Sequence, residues 1–223
     1  MRMFEHKLNI DNQVKFKKYR KKFNKVFGIG MSKTATTSLA EALHRLGIKV
    51  MDYSLGTEDG KSMMKEIMYP STDYALTILE ENKYDGLTDI VPAVYYQEMD
   101  RKYLNSKFIL TTRDLSDWLS SSRRFWKLYG DNKARLSARS GFINTVLYGT
   151  WRYNKSRFRY VYKRHNLEVV KYFKKKYGND INKHLLVMDI FVGDGYDKLC
   201  KFLGYPVIQE NFPHKNHNKK VKK

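Results

Sequence analysis

The chain has 223 residues, with 43 Lys and Arg against 23 Asp and Glu and a formal charge of +20. That length suits one α/β domain with a full core, and the charge favours a polyanion (nucleic acid, an anionic membrane surface or a phosphorylated nucleotide) without choosing among them. A single cysteine, Cys200, excludes an internal disulfide and a cysteine-based zinc site, and no run of about 18 apolar residues marks a membrane span.

The N-terminus lacks the apolar segment of a signal peptide, so a soluble, cytoplasmic protein is expected. Residues 1–24 read as a basic arm, 25–213 as one domain and 214–223 as a basic tail. Within the domain, Lys25 to Gly30 reads as a buried strand entering a glycine turn. A helix follows from Thr36 to Leu46, with Leu39, Ala42, Leu43 and Leu46 on one stripe and Gly47 as its stop. Ile48 to Met51 is a second strand, and Ser71 to Asn82 a capped helix. Tyr84 to Asp89 ends another strand, before a helix from Pro92 toward Leu104. Lys107 to Thr112 is the clearest strand, with Arg113 at its exit and a helix from Asp114 to Tyr129. The basic, aromatic stretch from Arg135 to Tyr177 should be mostly helical. Leu185 to Met188 is a late strand, and Tyr196 to Leu203 a short helix closed by Gly204. Alternation of this kind predicts a three-layer α/β/α fold around a mostly parallel sheet, with ligands beyond the carboxyl ends of the strands.

The segment Phe27-Gly-Ile-Gly-Met-Ser-Lys-Thr-Ala-Thr-Thr-Ser-Leu39 carries the strongest chemical signal. Free N–H groups at a helix start, a positive dipole end, close-approaching glycines, Lys33 and a run of hydroxyls together make a P-loop-like phosphate-binding loop. It departs from the Walker A pattern, because Phe27 and Ser32 stand where that motif needs glycines. Leu186 to Asp189 is a weak candidate for the acidic strand that a magnesium-dependent nucleotidase would also need. Arg113 offers a planar fork for a second phosphate, and Ser121 lies eight residues on, along the next helix. A salt bridge from Arg113 to Asp114 or Asp117 is the structural alternative.

Gly30-Met-Ser-Lys-Thr-Ala-Thr-Thr-Ser-Leu39 resembles the 5′-phosphosulfate loop of sulfotransferases that use PAPS (3′-phosphoadenosine-5′-phosphosulfate), with Ala35 in place of the usual glycine. Phe108-Ile-Leu-Thr-Thr-Arg-Asp-Leu-Ser-Asp-Trp-Leu-Ser-Ser121 resembles the family's 3′-phosphate motif. Gly193 to Gly204 and Asn211-Phe-Pro-His-Lys-Asn216 look like the C-terminal signature of short, small-molecule sulfotransferases with an aspartate base. The resemblance implies that Gly30, Ser32, Lys33, Thr34, Ala35, Thr36, Thr37 and Ser38 hold the 5′ side of PAPS or its product PAP, and that Arg113 and Ser121 hold the 3′-phosphate. Lys215 would add a late contact. Lys33 would serve the leaving oxygen, and no metal is implied.

Asp89 is the candidate base, since a carboxylate in a partly dry cleft gains basicity. Asp85 is its competitor, and a helix-capping role is the plain alternative. Of the histidines, His44 is expected to face solvent, His165 and His184 have no evident context, and His214 reads as a loop-ordering residue. The expected reaction is in-line sulfuryl transfer to a small-molecule or glycan hydroxyl. An acceptor pocket is placed in residues 53–70, with Met63, Met64 and Met68, and in residues 123–165. Three rivals stay open: a P-loop kinase or nucleotidase, a nucleic-acid-binding protein using the basic aromatic stretch, and a sulfotransferase fold that only binds.

Overall fold

The computed structural model describes residues 21–52, 79–80, 83–130, 145–150 and 152–214. Among these, five strands pair in parallel: β1 (Val26–Gly28), β2 (Val50–Asp52), β3 (Gly86–Thr88), β4 (Lys107–Thr111) and β5 (Leu185–Met188). Their order across the sheet is β2-β3-β1-β4-β5. The chain moves left from β1 to β2 and β3, then crosses to the right for β4 and β5. The exit of β1 is therefore the switch point, where a crevice opens beyond the carboxyl ends.

Among the described residues, the longer helices that frame the sheet are α1 (Thr36–Arg45), α2 (Ile90–Lys102), α3 (Leu115–Gly130), α4 (Lys155–Tyr177) and α5 (Tyr196–Leu203). Two apolar clusters lie on opposite faces of the strands. Phe27, Leu87, Phe108 and Leu110 join Tyr96, Met99, Val169 and Phe173, burying α2 and α4 against one face. Val26, Ile109, Leu186 and Met188 join Leu39, Leu43, Leu199 and Leu203, burying α1 and α5 against the other. Alternate residues of each strand thus face alternate layers, as the period of two requires. The predicted α1 stripe of Leu39, Ala42, Leu43 and Leu46 is fully buried.

Two elements follow the sequence reading to the residue, β5 and α5, the latter closed by Gly204 at φ 74°. Helix α2 starts two residues earlier than predicted, at Ile90, with Pro92 in its first turn, where its missing N–H costs nothing. Leu79 and Glu80 are helical, as expected of the Ser71 to Asn82 segment, whose other residues fall outside the description. Outside it too lie the basic arm up to residue 20, the tail from Lys215, and residues 53–70 of the expected acceptor pocket.

One buried carboxylate ties two helices of the same layer together. Asp100, near the end of α2, is only 2% exposed. It accepts hydrogen bonds from Tyr172 (2.8 Å) and Tyr177 (2.6 Å) and pairs with Lys176 (2.6 Å), all on α4. A buried carboxylate so fully partnered resists separation, because breaking it would leave an unpaired charge. Helix α2, which follows directly on Asp89, is in this way pinned to α4. No helix among the described residues is long and apolar enough to cross a membrane.

Candidate active site

The strand exits form a row at one edge of the sheet. Reading across it, Asp52 ends β2, Asp89 follows β3, the phosphate loop follows β1 and Arg113 follows β4. The loop's shape comes from its backbone. Lys33 (φ 76°) and Ala35 (φ 71°) both take positive φ with Thr34 between them. Such alternation turns N–H groups inward to make an anion-binding nest, beside the N-terminus of α1. Ala35 has no glycine's freedom there, and an L-residue in this region costs roughly 1–2 kcal/mol.

Gly30 is fixed by crowding, since a Cβ on it would sit 2.0 Å from Thr111 Oγ1. Beneath the loop Thr34 is fully buried, its hydroxyl engaged with Met31 C=O (2.6 Å) and Thr111 Oγ1 (2.7 Å). That hydroxyl braces the loop from inside, so Thr34 offers a ligand its backbone rather than its side chain. Three other hydroxyls turn to carboxylates. Ser32 donates to Asp89 (2.6 Å), Thr36 also bonds Asp89, and Thr37 bonds Asp52. Ser38 is buried, at 2% exposure.

Asp89 adopts φ 79° and ψ −134°, a region few side-chain-bearing residues occupy, and makes no capping bond to α2. The capping alternative is thereby corrected: the strained backbone turns the carboxylate away from its own helix and onto the loop. Burial pushes its pKa up to about 7, with the neighbouring Asp52 charge adding to the rise and Ser32, Lys33 and Thr36 opposing it. Asp85 lies at the opposite, N-terminal end of β3, tied to Lys21 (2.5 Å) and the Lys49 N–H (2.8 Å), and takes no part in this edge.

Lys33 rests with its ammonium 3.7 Å from the centre of the Phe125 ring. Its pKa is lowered, first by burial, then by Arg113, with Asp89 pulling the other way. Phe125 sits four residues beyond Ser121 on α3, so both lie on one helix face. Arg113 lays its guanidinium 3.9 Å over Phe191, and its Nε is buried without a partner. The alternative ion pairs from Arg113 to Asp114 or Asp117 are not found among the described residues; Asp114 instead takes the Ser116 (2.8 Å) and Asp117 (3.0 Å) N–H groups at the start of α3. An orphaned guanidinium nitrogen beside a lysine and a nest of N–H groups fits a ligand carrying two phosphates.

Four residues to which the sequence assigns no role lie against these groups. Asp52 accepts from Thr88 Oγ1 (3.0 Å), and burial raises its pKa as well. Trp118 donates from Nε1 to Ser32 C=O (2.9 Å). Tyr162 bonds the backbone of Arg113, and His165 donates to Ile29 C=O (2.8 Å), where burial lowers its pKa. Position at a strand exit was the available signal for Asp52; the other three carry no local pattern. His44, expected to face solvent, is half-buried and donates to Val50 C=O (2.6 Å) on the way to Asp52.

Asp189 is not placed as an acidic partner to the loop. It sits beyond β5, with β4 intervening, and its carboxylate accepts from the Phe191 N–H (2.9 Å) to close a turn. His184 stacks on Tyr177 (3.6 Å between ring centres), away from the strand exits. His214 is exposed, and Lys215 is outside the described residues. Among the described residues, no group of three or more His, Cys, Asp and Glu side chains is arranged to hold a metal ion.

A family model described as a sulfotransferase domain matches residues 25–221. A search of curated proteins finds no match.

Proposed function

The chain belongs to the sulfotransferase domain family, and from that premise we propose that it transfers a sulfuryl group from PAPS to a hydroxyl of a small-molecule or glycan acceptor. The observation that carries this reading is the order of groups along the sheet edge: a carboxylate, then a nest of N–H groups with a lysine, then a guanidinium. This order supports one face for an acceptor and another for a nucleotide with two phosphates.

In this reading the loop from Gly30 to Ser38 receives the 5′ side of the nucleotide first through its backbone N–H groups, and the hydroxyls of Thr36 and Thr37 turn from Asp89 and Asp52 to join them, with Ser38. Arg113 and Ser121 receive the 3′-phosphate, and a charge there would satisfy the Arg113 Nε left without a partner. PAPS supplies the activated sulfuryl group and a phosphate that can leave. Asp89 takes the proton of the acceptor hydroxyl as the new oxygen–sulfur bond forms and the old one breaks. Its raised proton affinity makes it a stronger base than a solvated aspartate, while remaining ionised above about pH 7. Lys33 neutralises the charge that builds on the leaving oxygen; leaving the Phe125 face is the movement this requires.

A thermal-shift titration with PAP on the wild type, Lys33→Ala and Arg113→Ala tests the assignment. The wild type should be stabilised without magnesium, and both variants should respond far less. Preference for magnesium-ATP would return the protein to the nucleotidase reading, and equal shifts in all three proteins would defeat the assignment of the two phosphate grips.

A further inference from the structure

The phosphate loop follows β1 and Arg113 follows β4, and besides the Thr34–Thr111 bond an aromatic pair links them. Trp118 holds the loop through its bond to Ser32 C=O (2.9 Å). Its ring stacks on Tyr162, with centres 4.3 Å apart and planes 22° apart. The Tyr162 hydroxyl then makes two bonds to one residue, accepting from the Arg113 N–H (2.8 Å) and donating to the Arg113 C=O (2.7 Å). A hydroxyl that closes on both backbone groups of a residue fixes that peptide's orientation, and hence the direction in which its side chain leaves the strand. Asn166, one turn along α4, also bonds this hydroxyl. Phe191 supports the guanidinium from below.

These contacts make one connected path: loop, Trp118, Tyr162, Arg113. Both aromatic residues are buried, Trp118 fully and Tyr162 at 4% exposure, so neither can swing freely. Three residues beyond Tyr162, His165 fastens Ile29 C=O (2.8 Å), so α4 holds both strand exits by side chains on adjacent turns.

We propose that Tyr162, seated on Trp118, is the positioning residue that fixes the spacing between the two phosphate grips, and that it makes the site select a nucleotide phosphorylated at both 3′ and 5′ positions over one phosphorylated at 5′ alone. This inference rests on reading Arg113 as the 3′-phosphate group. It assigns selectivity to a side chain that reaches the ligand only through Arg113.

The experiment compares the affinities of PAP and 5′-AMP by calorimetry for the wild type and Tyr162→Phe, which keeps the stacked ring and removes only the hydroxyl. The wild type should bind PAP far more tightly. In Tyr162→Phe the PAP preference should fall about tenfold, as expected when one backbone clamp of hydrogen bonds is lost, while 5′-AMP affinity stays within about twofold. An unchanged preference overturns the role of Tyr162, and so does an equal loss for both ligands, which would mean general disruption. A wild type that does not prefer PAP defeats the two-phosphate reading itself. If Tyr162→Phe does not fold, Asn166→Ala is measured by the same criteria, with a smaller loss of preference expected and an unchanged one counting against the proposal.

Discussion

To the β2 and β3 side of the phosphate loop, the strand exits present Asp52 and Asp89; to the β4 side, the exit presents Arg113. The two sides are held by different materials. The carboxylates sit in a web of small hydroxyls from Ser32, Thr36, Thr37 and Thr88. The guanidinium sits among large rings, Tyr162 on its backbone and Phe191 under its side chain. Hydroxyls can turn and exchange donors as a proton comes and goes, so they suit a group that must change protonation state. Packed rings hold a direction without taking part in the chemistry. The contrast predicts that substitutions on the acidic side change rate and pH dependence, while those on the basic side change which nucleotide is accepted.

The sharpest test removes the base. Asp89→Asn should lower kcat by about 10²–10⁴-fold, the usual worth of a positioned general base, while PAP affinity barely changes. Retained turnover with weakened PAP binding would reverse the assignment of the two sides. A smaller effect is expected one strand further out. Asp89 is protonated below about pH 7, so kcat/KM should rise with pH through that region. Burial is the larger cause and stays in Asp52→Asn, but the neighbouring negative charge is gone, so the proton leaves Asp89 more easily. The acid limb of the kcat/KM profile should therefore move to lower pH; a fixed limb would mean that the two carboxylates are uncoupled. The smallest effect concerns the loop between the sides. Ala35→Gly relieves a left-handed alanine but adds freedom to the unfolded chain, for a net gain of up to about 1 kcal/mol. In a chain of this size that raises Tm by about 2–4 °C in a melting scan. A lowered Tm would mean that the Ala35 methyl, which packs against the Leu39 and Leu43 cluster, outweighs the strain.

The sheet was readable because each strand is short, apolar and bounded by glycine or a polar exit, and because α1 and α5 bury clear stripes. Lys33, Asp89 and Arg113 were readable for a related reason: their position relative to a strand end is itself local. Tyr162 and His165 were not, since each matters through a backbone group 49 and 136 residues away. Trp118 carries no local sign of its role, and only the fold shows its N–H spent on the loop. Local pattern also misjudged the hydroxyls of Thr34 and His44's surroundings, because direction within a turn or a helix end is set by neighbours in space. The aromatic stretch that invited a nucleic-acid reading divides in α4 into a buried set, Phe158, Tyr162 and Phe173, and a charged outer set.

The bond between His165 and Ile29 has a consequence for how the protein comes into being. A ribosome delivers Ile29 and the loop behind it long before it delivers the helix that fastens them, 136 residues later. A nascent chain halted ahead of α4 would carry the residues proposed for the two phosphates from Gly30 to Ser121, yet lack the side chains proposed to set their spacing. Nucleotide capture should accordingly emerge late in synthesis, as a step at the appearance of α4 rather than a gradual gain.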